Sequence, residues 1–527
     1  MNRKPSNRRG DRLHRILAIA LASGLAMTMA GSAALARSLT PRAELDHGVI
    51  LAGDENTVYV LIDFDVARFV PPPAYGRPDL NLAMVLDRSG SMADRGKMEY
   101  AREAAKIVVD RMHASDVLAV VEYDDEITVL WPAAPVEAKT LIKRRIDELE
   151  PRGSTNLCGG MMRGVEEAMR HRDGSDINRV ILLSDGLANE GVTEPREIYR
   201  LVRDAKRRGV TISTMGLGLD YNEDLMQGIA ENGGGNYYYI ENPHQMSRIF
   251  GRELETLFTT VARDVVIRFR AGGKVSDVEV YGYPFEIDGD AVTIPLENFY
   301  SEEQRSLLLK LEIDPARAGD LDLGELGLTY HDYLTDEAVD MSLELRVDVS
   351  ENEHEVERSR NDRVIVESTL TSTDKRQDEI VRLYEAGDMD AAQAELDRLT
   401  ADVNEIQRGV ASPRIAAKLE ALSLEQEDMV LADGSAAGRS AFLKSNKARN
   451  YQGTRGKRGF FLMSEGDKGY EVERLQEALQ DLGLFSGEID GVYSTEVKEA
   501  VIEFQGRNNI KTDGLAGPNT LRALNLY

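Results

Sequence analysis

Cysteine and tryptophan each occur once in 527 residues, and aromatic residues make up only 6%. A single thiol, Cys158, excludes an intrachain disulfide framework and any cysteine-rich zinc site. Positive charge is also scarce: 64 Lys and Arg against 91 Asp and Glu leave a formal net charge of -27. That balance disfavours nonspecific nucleic-acid binding, which depends on Lys and Arg neutralising phosphates. None of His14, His47, His113, His171, His244, His331 or His354 lies in a recognisable catalytic motif, and there is no HExxH and no GxSxG. Beyond the first 36 residues no run is apolar and long enough to span a bilayer. What is present is an acidic chain, 42% hydrophobic, with a length prior of about three or four domains.

The start of the chain reads as an export signal over residues 1–36. Arg3, Lys4, Arg8, Arg9, Arg12 and Arg15 stand against Asp11, and ILAIALASGLAMTMAGSAALA follows, ending in the small-x-small pattern Ala34-Leu35-Ala36. A retained membrane anchor is the alternative, but the run is rich in Ala, Gly and Ser. Cleavage would leave no stable membrane span and put the mature chain in the periplasm or outside the cell. Arg8-Arg9 hints at twin-arginine export, although Gly10-Asp11 follow where an apolar residue is expected.

From Leu80 the pattern alternates between strands and helices. LNLAMVL ends in Asp87, Ser89 and Ser91; a helical MEYAREAAKIVVDRM follows, with Ala101, Ala104, Ile107 and Val108 apolar. DVLAVVEYDDEITVLWP reads as two strands joined at Asp124-Asp125, and LIKRRIDELE, MMRGVEEAMR and REIYRLVRDAKRRG as helices. RVILLSDG, VTISTMGLG and NYYYIEN read as further strands. This predicts a doubly wound α/β domain with a parallel sheet, in which ligands bind beyond the carboxyl ends of the strands. There Asp87, Ser89 and Ser91 would meet Thr155, from the loop GSTNLCGG, and Asp185, from LLSDG. Such hard oxygens suit Mg2+, with Ca2+ or Mn2+ as alternatives. With two carboxylates among five groups, a bound cation would stay electropositive and could take a carboxylate from a partner. Taken singly, each residue could equally be a helix cap or turn former.

DRSGS, STN and LLSDG, in this order, resemble the metal-ion-dependent adhesion site of the von Willebrand factor A (VWA) domain, and the resemblance continues through SDGLANEGVT and GGGNYYYIEN. It implies that Ser89, Ser91 and Thr155 offer hydroxyls, while Asp87 and Asp185 act directly or through water; Arg88 occupies a variable position. The rival reading, Ser89 or Ser91 as a nucleophile activated by histidine, lacks any motif. Cys158 could be activated at a helix start, or be a small core residue.

Around this domain, taken as 79–256, strands without intervening helices run through DVVIRFR, VSDVEVYGY, DAVTIPL, RSLLLKLEI and MSLELRVDV. They predict an antiparallel β-sandwich built from 37–78 and 257–352, with the A domain inserted. Residues 353–431 read as a helical spacer of two or three helices, with Ala391, Ala394, Leu396 and Leu399 on one side and Gly387 at a break. Residues 432–459, carrying Arg439, Lys444, Lys447, Arg449, Arg455, Lys457 and Arg458, read as a basic flexible linker, either a solvated tether or a contact for an anionic envelope surface. In 460–527, Val472, Leu475, Leu479 and Leu482 line one helix face and Val497, Ala500, Val501 and Phe504 another. With Asp490-Gly491 and Asp513-Gly514 in matching places, residues 466–524 resemble the small three-helix peptidoglycan-binding domain. Ser494 and Val497 depart from its usual glycine and threonine, which puts the first turn's geometry in question. The expectation is an exported, non-enzymatic envelope protein, with peptidoglycan as one partner and a carboxylate-bearing protein as another. A cell-wall hydrolase, or a regulator of envelope enzymes, is the alternative.

Overall fold

The computed structural model describes residues 37–68, 79–172, 177–240, 242–301, 303–314, 316–432, 435–454 and 462–526. The export signal over 1–36 lies outside them, as do 69–78 and 455–461 with Arg455, Lys457 and Arg458. Among the described residues, no helix is long and apolar enough to cross a membrane.

Three strands come first: β1 (Leu39–Leu45), β2 (Val49–Leu51) and β3 (Asn56–Val66). Next come β4 (Leu80–Asp87), α1 (Lys97–Arg111), β5 (Val117–Tyr123), β6 (Ile127–Pro135), α2 (Lys139–Asp147) and α3 (Leu157–Met169). They are followed by β7 (Ile177–Ser184), α4 (Pro195–Arg207), β8 (Thr211–Leu217), α5 (Glu223–Gly233), β9 (Gly234–Ile240) and α6 (Met246–Phe258). These strands form one sheet in the order β6-β5-β4-β7-β8-β9. All neighbours are parallel except β6, an antiparallel edge strand on β5.

The unbroken apolar run of β4 follows from burial on both faces. Leu80, Leu82, Met84 and Leu86 enter one core with α1 and α6, while Ala83 and Val85 enter the other with α3. A strand covered on both sides has no solvent face on which to alternate.

The chain then adds β10 (Thr260–Ala271), β11 (Val275–Val280), β12 (Glu286–Asp288), β13 (Ala291–Tyr300), β14 (Arg305–Ile313), β15 (Gly319–Asp332) and β16 (Glu337–Ser350). Two sheets result, β1-β3-β14-β11 and β12-β13-β10-β15-β16-β2. Their inward residues share one core: Val58, Val60 and Ile62 with Leu307, Leu309 and Leu311 from the first, and Ile267, Phe269, Leu326 and Val347 from the second. The N-terminal strands therefore pair with strands that follow the α/β segment. The long β15, GDLDLGELGLTYHD, escaped the sequence reading because its glycines interrupt the strand pattern.

The helices α7 (Glu353–Arg358), α8 (Asp362–Glu385), α9 (Met389–Val410), α10 (Pro413–Ala432) and α11 (Ala436–Thr454) follow. Two expectations change here. The buried stripe of α9 is Ala392, Leu396, Leu399 and Val403, and Ala394 is exposed. More importantly, residues 436–454 are helical rather than a flexible linker. Phe442, Lys444, Asn446 and Asn450 of α11 are buried. Lys444 Nζ donates to Tyr221 O at 2.5 Å and to Glu223 Oε2 at 2.5 Å, and it lies 4.1 Å from the centroid of the Tyr221 ring. Lys447 Nζ reaches Asp224 at 2.8 Å and Glu385 at 3.1 Å. The basic run is thus a helix whose cations meet carboxylates distant in sequence.

The last segment holds α12 (Tyr470–Asp481), α13 (Thr495–Arg507) and α14 (Pro518–Ala523). Val472, Leu475, Leu479, Val497, Val501 and Phe504 share its core, but Leu482, at the C-cap of α12, is 53% exposed. Two turns repeat one device. Gln476 Oε1 accepts from Gly491 N at 2.9 Å while its Nε2 donates to Asp490 Oδ1 at 2.8 Å. Gln505 does the same with Gly514 N at 3.0 Å and Asp513 Oδ1 at 3.2 Å. Gly491 and Gly514 sit at φ +67° and +70°, where a side chain would be strained. Ser494 is the N-cap of α13, accepting from Val497 N at 3.4 Å, so this departure from the family pattern performs a capping role.

Candidate metal centre

Register brings the two apolar strands to one end. Leu86 of β4 is paired with Leu183 of β7, so Asp87 stands beside Ser184 and Asp185 at the carboxyl edge. The sheet's strand order reverses around β4, with β5 on one side and β7 on the other, which opens a crevice there.

Asp87 is fully buried. Its Oδ1 accepts from Ser89 N at 2.8 Å, and its Oδ2 accepts from Ser184 Oγ at 2.8 Å and Tyr123 OH at 3.3 Å. Burial, with Asp185 close by, pushes its carboxyl up to about 6. Ser89 Oγ and Ser91 Oγ lie 3.1 Å apart. Ser91 Oγ donates to Asp185 Oδ1 at 2.7 Å, and Ser89 Oγ donates to the same oxygen at 3.4 Å. The other oxygen, Asp185 Oδ2, accepts from Lys97 Nζ at 2.6 Å.

Thr155 enters from the loop before α3. Its N–H donates to Asn189 Oδ1 at 2.9 Å, and its carbonyl accepts from Asn189 N at 3.2 Å, which fastens it to the loop that follows Asp185. A methyl group built on Gly186 would lie 3.2 Å from Thr155 Oγ1 and 3.8 Å from Ser91 Oγ. All five residues singled out in the sequence therefore converge, and Gly186 leaves the space between their hydroxyls open.

This donor set fits a hard divalent cation: two carboxylates and three hydroxyls, all oxygen, on three separate loops. Among the described residues no group of three or more His, Cys, Asp and Glu is placed to hold a metal. The hydroxyls of Ser89 and Ser91 meet each other and Asp185, not a histidine. Cys158 is buried in α3, and burial pushes its thiol up to about 11, so it stays protonated at neutral pH.

Sequence reasoning missed the groups that hold this arrangement. Arg88 is buried, its guanidinium 3.0 Å from Glu122 Oε1 and 2.9 Å from Asp124 Oδ2, while Arg88 N donates to Tyr123 O and Gly90 N to Gly153 O. Arg152 Nε also reaches Asp124, at 2.8 Å. Ser184 and Lys97 were equally unassigned. LLSDG could have flagged Ser184, since a hydroxyl before the carboxylate points back across the strand pair; nothing local flags Lys97.

Two segments of the chain match known families. Residues 81–252 match the family described as "von Willebrand factor type A domain", and residues 468–524 match "Putative peptidoglycan binding domain". Uncharacterized protein YfbK of Escherichia coli (strain K12) is 33% identical over 189 residues, which is 36% of this chain and 33% of that protein. Protein sll0103 of Synechocystis is 27% identical over 49% of this chain and 62% of its own length. Rat inter-alpha-trypsin inhibitor heavy chain H3 is 25% identical over 48% of this chain and 31% of its own length. The chain thus spans from about a third to less than two thirds of these relatives. Among solved structures, a von Willebrand factor type A protein from Catenulispora acidiphila superposes with a TM-score of 0.59 at 17% identity, covering 80% of this chain and 98% of that one. The ArnB paralog VWA2 from Sulfolobus acidocaldarius gives 0.51 at 17% identity over 79% and 99%. Both share the fold. The chain carries a von Willebrand factor type A domain in its α/β part and a peptidoglycan-binding domain at its helical C-terminal end.

Proposed function

We propose that this chain is an exported, non-enzymatic binding protein of the cell envelope. Its VWA domain, borne on a β-sandwich, holds a divalent cation, Mg2+ first, through Asp87, Ser89, Ser91, Thr155 and Asp185. Through that cation it takes an acidic group of a protein partner, while residues 460–527 keep it on peptidoglycan in the periplasm or at the cell surface. The observation that carries this reading is that Thr155 Oγ1 and Ser91 Oγ stand 3.2 and 3.8 Å from where a Cβ on Gly186 would lie, beside the two buried carboxylates of Asp87 and Asp185.

A bound cation would supply a Lewis-acidic position for an incoming carboxylate. The chain's own groups do the positioning. Ser184 and Ser89 N orient Asp87; Ser91 orients Asp185, whose other oxygen pairs with Lys97; Asn189 holds the Thr155 backbone. The basic helix α11, rather than lying free for an anionic surface, has Lys444 and Lys447 committed to Glu223 and Asp224. Wall attachment is assigned to the C-terminal module, whose residues 468–524 match the peptidoglycan-binding family.

Sedimentation with insoluble peptidoglycan tests both halves. The full chain, a chain ending at Thr454 and an Asp87→Ala variant are mixed with peptidoglycan and envelope extract, with Mg2+ or chelator. Truncation should abolish wall sedimentation whatever the metal, and Asp87→Ala should lose protein partners while still sedimenting. Wall sedimentation by the truncated chain, or release of soluble wall fragments, overturns the reading.

A further inference from the structure

Lys97 occupies a position that stability alone does not favour. It is the first residue of α1, at the end of the helix where backbone N–H groups concentrate positive charge and cations are disfavoured. It is also 6% exposed, so its ammonium has been withdrawn from water. Replacing a whole buried ion pair by apolar residues is often neutral or stabilising, whereas removing one partner leaves the other charge buried and unpaired. Gly218, at φ +75°, faces its side chain, and a methyl group built there would lie 3.9 Å from Lys97 Cε.

The partner is a proposed metal ligand. Lys97 Nζ lies 2.6 Å from Asp185 Oδ2, while Ser91 holds Asp185 Oδ1 at 2.7 Å. Asp185 thus stands between a fixed cation and the hydroxyls. The nearby Arg88 guanidinium is committed to Glu122 and Asp124, leaving Lys97 as the charge set against the two carboxylates Asp87 and Asp185.

Resting on the metal reading above, we infer that Lys97 is a specificity-determining residue of this centre, weakening its hold on the cation and strengthening its hold on an anionic partner group. Two carboxylates and one ammonium leave one net negative charge. Loaded with a divalent cation, the site carries one net positive charge, and a partner carboxylate brings it to neutrality. Without Lys97 the loaded site is already neutral, and the same carboxylate leaves it negative. A unit charge removed a few Å from the bound ion, at the effective dielectric near a protein surface, changes each equilibrium by roughly tenfold or more, in opposite directions.

The test uses the full chain and Mn2+, followed by electron paramagnetic resonance. Acetate serves as the carboxylate probe, read from the relaxation of metal-bound water. Lys97→Met and Lys97→Gln remove the charge, Gln keeping an N–H for Asp185; Lys97→Arg keeps the charge. The neutral variants should bind Mn2+ roughly tenfold more tightly and acetate on the loaded site roughly tenfold more weakly, with Lys97→Arg close to wild type. Unchanged Mn2+ affinity, or acetate binding equal to wild type, overturns the inference while leaving the metal site standing. If wild type binds no Mn2+ that Asp87→Ala abolishes, the metal reading itself fails. Should both neutral variants fold only with Mn2+, that dependence is the expected tightening; unfolding regardless of Mn2+ assigns Lys97 to the fold alone and overturns the inference.

Discussion

Ser184 Oγ donates to Asp87 Oδ2 at 2.8 Å, tying the end of β7 to the end of β4 across the crevice where the sheet reverses order. Ser184→Ala removes that donor while leaving Asp87 buried. Groups that orient a metal ligand are typically worth about 10- to 100-fold in affinity, so Mg2+ binding should weaken by that factor. The fold should lose about 1 kcal/mol, the net worth of one hydrogen bond, because Asp87 Oδ2 keeps the Tyr123 hydroxyl as a donor. Calorimetry with Mg2+, alongside a denaturant titration, reads both. Wild-type affinity in Ser184→Ala contradicts this role.

The clamp of α11 on the VWA domain makes a second prediction. Lys444 is buried against Glu223, so Lys444→Ala leaves that carboxylate only its longer contact with Lys447, a loss of about 1–3 kcal/mol. Hydrogen exchange should show amides of 436–454 protected in the wild type and released in the variant. Fast exchange throughout this segment in the wild type would restore the flexible-linker reading.

Legibility differed from one part of the chain to the next. Asp87, Ser89, Ser91, Thr155 and Asp185 were readable because each follows a strand or opens a helix, and the parallel sheet puts such ends together. Lys97 and Arg88 were not, since their meaning lies in partners chosen by tertiary packing. The helix α11 was misread for the same reason: its lysines looked solvated because Glu223 and Asp224 stand more than two hundred residues earlier. The Gln476 and Gln505 latches lay in the sequence as LQ and FQ before matching DG turns, but a repeated letter does not say which atom it satisfies.

Burial, with the Asp374 carboxylate nearby, gives Asp378 on α8 a carboxyl pushed up from 3.8 to about 6 against the lowering effect of Asn450. A raised carboxyl pKa means the folded state binds the proton more tightly than the unfolded state. Its contribution to stability is therefore full below about 3.8 and lost as pH rises through about 6. Asp378→Asn should remove this group's downward slope over that interval and stabilise the neutral-pH protein by about 2–3 kcal/mol. Denaturant midpoints across the interval check it. A variant less stable than wild type at neutral pH contradicts the assignment.

In the C-terminal module, Gln476→Ala and Gln505→Ala each leave a buried glycine N–H, that of Gly491 or Gly514, without its acceptor, while Asp490 and Asp513 keep the N–H groups of Val492 and Leu515. Each should cost about 1–3 kcal/mol in that module and reduce sedimentation with peptidoglycan. Metal binding at Asp87 should not change. Loss of wall binding together with Mg2+ binding would mean global unfolding rather than a local latch.

The central claim, that Asp87, Ser89, Ser91, Thr155 and Asp185 form one cation centre, is tested most directly by titrating Mg2+ calorimetrically into wild type, Asp87→Ala, Thr155→Ala and Asp185→Ala. The account predicts binding at one site in the wild type, its loss in both aspartate variants and weakening in Thr155→Ala, with unchanged circular dichroism. Mass action should also make the wild type more stable in excess Mg2+ than in chelator, a difference that vanishes in the aspartate variants. Equal Mg2+ binding by all four proteins would contradict it.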